Sequence, residues 1–150
     1  AYYRSRKGGR MMALFVVDCE GVDWINGRVR EFGVVEFKSR ATFHGENDSV
    51  ETLQRLVDWL KRFDGRAILV SDNPAYDAGG MNMIFHRLLG RNPFGHSARR
   101  ISDFYAGLVG DFYETQAWKS LRVTPHDHNP VNDALGNCEA LQRLLNGERP

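Results

Sequence analysis

Asp18 and Glu20, two carboxylates closing the apolar run that begins at Met12, are the first residues in this chain with chemistry to offer. The run reads as a buried strand. Alternation along a strand sends both carboxylates to one side, roughly 6.6 Å apart, and turns Cys19 to the other. Carboxylates that close repel unless one takes a proton or a cation sits between them, and a hard divalent cation with oxygen ligands is the usual solution. Asn73-Pro74-Ala75-Tyr76-Asp77 supplies another carboxylate, and His128-Asn129-Pro130-Val131-Asn132-Asp133 supplies an imidazole ahead of a fourth. Taken singly, Asp133 is explained as a carboxylate complementing the dipole of a helix start, and His128 as a loop imidazole satisfied by backbone. Their coincidence with the Asp-x-Glu strand and with Asp77 favours one metal site.

The elements that must position these groups follow from periodicity and punctuation. Strands are expected at 12–18, 29–37 and 41–43, joined by turn-like segments into an antiparallel meander. Leu53, Leu56, Val57, Leu60 and Phe63 recur at helical spacing over 50–63, with Ser49 as N-cap and Gly65 as stop. The segment 67–71 is too short for a helix and too apolar for a loop, so it reads as a buried strand leading into Asn73 to Asp77. Asp77 then opens a helix that Met81, Ile84, Phe85, Leu88 and Leu89 continue to Gly90, and Ile101-Ser102-Asp103 begins the next strand-to-helix transition. The last helix is the best specified. Asn129 is a good N-cap, Pro130 suits the first helical position, and Leu135, Cys138, Leu141 and Leu145 give the helix its buried face. His128 falls just outside that helix and Asp133 in its first turn, so both share one rim.

These motifs, in this order, resemble those of the DEDDh branch of the DEDD exonucleases, the group that includes RNase T, oligoribonuclease and the proofreading subunits of replicative polymerases. That family carries Asp-x-Glu on its first strand, then Asn-x-x-(Phe/Tyr)-Asp, then His-x4-Asp; here these are Asp18 and Glu20, Asn73 to Asp77, and His128 with Asp133. The segment Glu31-Phe32-Gly33-Val34-Val35-Glu36-Phe37 is similar to the family's second strand, and the likeness runs from about Ala13 to Leu145. Pro130 and Cys19 depart from the residues relatives more often carry, and neither departure removes a ligand. The resemblance implies an α/β fold of the ribonuclease H-like kind: a mixed sheet, antiparallel meander plus parallel strands, flanked by helices. It implies two divalent cations, Mg²⁺ or Mn²⁺, held by Asp18, Glu20 and Asp133, with Asp77 holding the second directly or through water. His128 is then the general base, since an imidazole with a pKa of about 6.5 accepts a proton near neutrality. His126 also precedes the helix, but its spacing to Asp133 departs from the family pattern.

The same resemblance implies a metal-dependent 3′→5′ exonuclease acting on the 3′ end of single-stranded RNA or DNA, RNA ahead of DNA, and releasing nucleoside 5′-monophosphates. Trp24, on the loop after the metal strand, is the leading base-stacking candidate, because stacking contributes about 1–3 kcal/mol per base; the competing reading is a core residue at a strand end. Asn73 and Tyr76 are the other expected substrate contacts, with Tyr76 in the family's aromatic slot, and Phe104 is a further stacking candidate. Two alternatives stay open: a catalytically silent nucleic-acid-binding module of the same fold, and a metal phosphohydrolase for small nucleotides.

Composition bounds the rest. With 150 residues, 42% hydrophobic and 26% charged, the chain is expected to form one compact domain over 13–150, preceded at 1–12 by a basic tail or vector-derived segment. A net charge of +1 says little about nucleic acid, so local clusters carry that argument: Arg4, Arg6, Lys7 and Arg10 in one, Arg87, Arg91, Arg99 and Arg100 in the other. Cys19 and Cys138 sit in apolar patterns and are expected as buried free thiols, which fits a reducing, intracellular and cytoplasmic setting. The sequence has no apolar run near the ~20 residues that span a bilayer, so no membrane partner is expected.

Overall fold

Strand β1 (Met12–Asp23) is the spine of the molecule, and its two faces are sorted by the alternation of its side chains. The computed structural model describes residues 11–150. Phe15, Val17 and Cys19 enter one core, under α1 (Val50–Leu60) and α2 (Asp77–Leu89), while Val16 enters the other, under α3 (Ile101–Val109) and α4 (Pro130–Leu145). Asp18 and Glu20 share the parity of Val16 and so stand on the α4 face.

The sheet order is β3-β2-β1-β4-β5. β2 (Arg28–Glu36) lies antiparallel to β1 and to β3 (Thr42–Gly45), whereas β4 (Arg66–Ser71) is parallel to β1 and to β5 (Ala98–Arg100). An antiparallel meander joined to parallel strands, with helices on both faces, is an α/β fold consistent with the ribonuclease H-like expectation. The α1/α2 core is aromatic: Phe15 lies within 6.1 Å, centroid to centroid, of Trp59, Phe63 and Phe94. Truncating such a ring to Ala costs about 3–5 kcal/mol.

One close approach sets the geometry of the α4 face. Gly33 is the β2 partner of Asp18, and a Cβ there would sit 2.5 Å from Val131 N and closer still to the Pro130 carbonyl. Only glycine lets the first turn of α4 lie directly on the sheet beside Asp18.

Several boundaries differ from the sequence expectation. β1 runs on to Asp23 because Glu20 to Asp23 continue the ladder with Arg28 to Glu31. α1 stops at Leu60, and Phe63 packs past its end, 4.9 Å from the Trp59 ring. β3 extends to Gly45, whose missing side chain accommodates the Phe32 ring. A short 3₁₀ helix (Ala117–Leu121) brings the fully buried Trp118 into the α4 core. Cys19 and Cys138 are buried free thiols, as expected. Arg4, Arg6, Lys7 and Arg10 lie outside the described residues. The second basic cluster is partly engaged: Arg87 serves Gly27 O and Asp48, and Arg100 serves Asp72 O and Asp103. Among the described residues no helix is long and apolar enough to cross a membrane.

Candidate active site

The start of α4 is built by local chemistry. Asn129 accepts hydrogen bonds from Val131 N (3.0 Å) and Asn132 N (3.2 Å), Pro130 occupies the opening of the helix, and Asp133 falls in its first turn. With α4 seated on Gly33, one carboxylate oxygen from each of Asp18, Glu20 and Asp133 lies within 4.8 Å of the others. Two full charges at such a separation repel by about 3–4 kcal/mol at an effective dielectric of ~20, so three ionised carboxylates do not coexist here without a counter-charge. Burial pushes the Asp18 carboxyl up to about 8, and the charges of Asp77, Asp133 and Glu20 push the same way against Arg122, which pulls it down. Asp18 Oδ2 and Asp133 Oδ2 are buried without an aligned hydrogen-bond donor. Three convergent oxygen donors, two of them with orphaned atoms, fit a hard divalent cation. The acidic cluster is compatible with divalent metal binding.

Asp77 is placed beside this cluster, not within it. As the first residue of α2 it is 4% exposed, and its Oδ1 accepts from Cys19 N at 2.8 Å, the amide between the two strand carboxylates. Burial raises its carboxyl to about 7, opposed by the hydrogen bond from the Cys19 amide. One oxygen thus ties α2 to β1. Asn73 contributes its carbonyl, which accepts from Tyr76 N and Asp77 N and turns the chain into the helix. The Tyr76 hydroxyl accepts from Val22 N at 3.0 Å and its ring meets that of Trp24 edge-on at 6.3 Å. Trp24 itself is 53% exposed, so it is not a core residue; its tip rests over Gly79, where a Cβ would come within 3.1 Å of the ring.

Both imidazoles reach the rim. His128 is exposed, adopts a left-handed φ of 62°, and holds Nδ1 3.8 Å from Glu20 Oε1. A left-handed non-glycine residue is uncommon, and here Asp127 and Asn129 pin it from either side: Asp127 Oδ1 accepts from Asn129 N, Oδ2 accepts from Asn132 Nδ2, and Asp127 N donates to Asp133 Oδ1. His126 lies nearer Asp133, with Nδ1 3.0 Å from Oδ2, and the two imidazole rings are 4.7 Å apart. Sequence reasoning weighed His126 only as a rival base and overlooked its contact with Asp133. It also missed Arg122, whose side chain is largely buried, bonds Asn137 Oδ1 at 2.8 Å, lies over the Trp118 ring and acts on Asp18. No spacing rule connects Arg122 to β1, so nothing local announced it. A groove of roughly 350 Å³ beside α2, lined by Pro74, Gly79, Asn82, Phe94 and His96, is not lined by the carboxylates. The site is an open rim.

Fold and site together define an α/β protein with an acidic rim compatible with divalent metal binding and flanked by imidazoles. No protein-family model matches the chain. The chain is similar to the 3′-5′ DNA exonuclease Cap18 of Escherichia coli, with 29% identity over 106 residues, 65% of this chain and 56% of that protein. It therefore spans little more than half the length of that relative.

Proposed function

We propose that this chain is a metal-dependent 3′→5′ exonuclease of the DEDDh type, which removes nucleoside 5′-monophosphates from the 3′ end of single-stranded nucleic acid. The observation that carries the reading is the part-buried carboxylate rim, its acids clustered and two of its oxygens without an aligned donor, beside an exposed imidazole. Similarity to a 3′-5′ DNA exonuclease supports the same reading and makes DNA the first substrate to test, ahead of the RNA expected from family resemblance.

Asp18, Glu20 and Asp133 are the residues that would hold Mg²⁺ or Mn²⁺. When bound, two such ions lower the pKa of the attacking water and stabilise charge on the leaving 3′-oxygen. Asp77 keeps β1 and α2 in register through the Cys19 amide and would help to hold the second ion, directly or through water. His128, exposed beside Glu20, takes the proton of the attacking water. Trp24, braced edge-on by Tyr76, stacks on a terminal base, and Asn73 shapes the turn beneath them. Two buried free thiols favour a reducing, cytoplasmic setting.

A 5′-labelled DNA and RNA pair, incubated with Mg²⁺ or Mn²⁺, tests the reading. Stepwise shortening from the 3′ end, stopped by chelator and by a 3′-phosphate, is expected. Binding without cleavage would identify a silent module, cleavage of mononucleotides alone a small-molecule phosphohydrolase, and cuts in a circular strand an endonuclease.

A further inference from the structure

We propose that His126, His128 and Asp133 form a second cation site, of zinc type, which shares Asp133 with the carboxylate rim and switches that rim off when filled. One ligand atom from each residue lies within 4.8 Å of the others. Asp133 Oδ2 is buried and lacks an aligned donor, and His126 Nδ1 already approaches it to 3.0 Å. Tetrahedral zinc, with bonds of ~2.0–2.1 Å, places its ligand atoms about 3.3 Å apart. Both imidazoles are on the surface, so their side chains are free to make up the difference, while the buried Asp133 provides a stationary anchor.

The two sites are separated by donor chemistry. Asp18, Glu20 and Asp133 present oxygen alone, which suits Mg²⁺ and Mn²⁺; the histidine set presents two nitrogens and one oxygen, which suits Zn²⁺. Zn²⁺ bound there would take an Asp133 ligand position from the rim and engage the His128 imidazole. Occupation of one site therefore weakens the other, and by linkage the effect is reciprocal. The inhibitory consequence rests on the exonuclease reading given above. The binding itself does not.

The test separates the two. In an Asp18→Asn, Glu20→Gln double variant the oxygen rim is dismantled and the histidine set is intact. Calorimetric titration of this variant with Zn²⁺ is expected to show one site, whose affinity falls at least about tenfold when His126→Ala is added. The ¹⁵N imidazole signals of His126 and His128 should shift with Zn²⁺ and stay in place with Mg²⁺. Circular dichroism checks that each variant is folded. In the otherwise wild-type chain at constant Mg²⁺, Zn²⁺ should slow cleavage, and His126→Ala should raise the Zn²⁺ concentration needed. Zinc affinity indifferent to His126→Ala, or imidazole signals that ignore Zn²⁺, overturns the site. A protein that binds zinc this way yet shortens no oligonucleotide keeps the site and loses the nuclease reading; one that shortens DNA while its zinc affinity ignores His126 does the reverse.

Discussion

Asp48 and Asp18 are both carboxylates near the sheet, and the molecule treats them in opposite ways. Asp48, 3% exposed, accepts from Arg28 Nε at 2.7 Å, Arg28 Nη2 at 2.6 Å and Val29 N at 2.9 Å, and Arg87 Nη2 lies 3.6 Å from its Oδ2. Burial would raise its carboxyl, but the Arg28 guanidinium and the Val29 amide hold it below the ordinary range. Asp18 meets three other carboxylates instead of an arginine fork, and its carboxyl is pushed up to about 8. The chain supplies cations where a buried acid is structural. At the rim the arginines make no such fork: Arg30 reaches Glu20 only at 3.9 Å and Arg122 offsets only part of the rise at Asp18, a contrast compatible with a cation from solution at the rim.

The largest predicted effect inverts between the two regions. Glu20→Gln or Asp133→Asn should lower turnover on a labelled oligonucleotide by roughly 10³-fold or more while the unfolding midpoint holds or rises, because a repelling charge has been removed. Asp48→Ala should do the opposite. It leaves the buried Val29 amide unpaired, which costs about 1–3 kcal/mol in denaturant titration, and activity per folded molecule should persist. Wild-type turnover in either rim variant would show that the rim is decorative.

Within the rim, the imidazoles offer a finer comparison. His128→Ala should reduce turnover by ~10²–10⁴, as for a lost general base, with metal-dependent substrate binding retained. His126→Ala, measured in zinc-free buffer, should do much less. A reversed order would reassign the base to His126, whose Nδ1 is already beside Asp133.

What could be read from the sequence was what local rules control. Strand alternation placed Asp18 and Glu20 on one side, and the Asn129-Pro130 pair marked the observed start of α4, because face and cap depend on near neighbours. The 3₁₀ helix carrying Trp118 has no such periodicity and was invisible. Contacts made across the fold were equally out of reach: Asp77 on the Cys19 amide, His126 on Asp133, Arg122 acting on Asp18, and α4 seated on Gly33. Each depends on how the helices dock on the sheet. The motif named the candidate residues, and the docking decided that three carboxylates cluster while Asp77 stands beside them.

The contrast also predicts opposite responses to pH. Asp18 and Asp77 have folded values of about 8 and about 7 against 3.8 in the unfolded chain. Between those limits the folded protein binds more protons, so their contribution to stability is complete below 3.8 and is lost as pH rises towards about 8. Asp48, with its value lowered, contributes above its unfolded value and loses that contribution only on acidification, outside this window. In chelator, the melting temperature should therefore be higher at pH 5 than at pH 8, and Asp18→Asn should flatten the difference. Adding Mg²⁺ should recover stability at pH 8, where the carboxylates are free to bind it. A wild-type slope unchanged by Asp18→Asn would mean that the rim is not its source.

The smallest effect distinguishes positioning from stability by comparing two helix caps. Ser49 Oγ caps α1 by accepting from Thr52 N, and Asn129 Oδ1 caps α4 by accepting from Val131 N and Asn132 N. Loss of either cap to Ala should cost about 1 kcal/mol. Only Asn129 also lies between His128 and the turn that carries Asp133, so Asn129→Ala should lower turnover severalfold at temperatures where the protein remains folded, and Ser49→Ala should leave turnover unchanged. Asn129→Asp, which retains a capping oxygen, should restore most of the lost stability. Equal losses of turnover from the two Ala variants would mean that the effect travels through global stability, and that the first turn of α4 has no special hold on the rim.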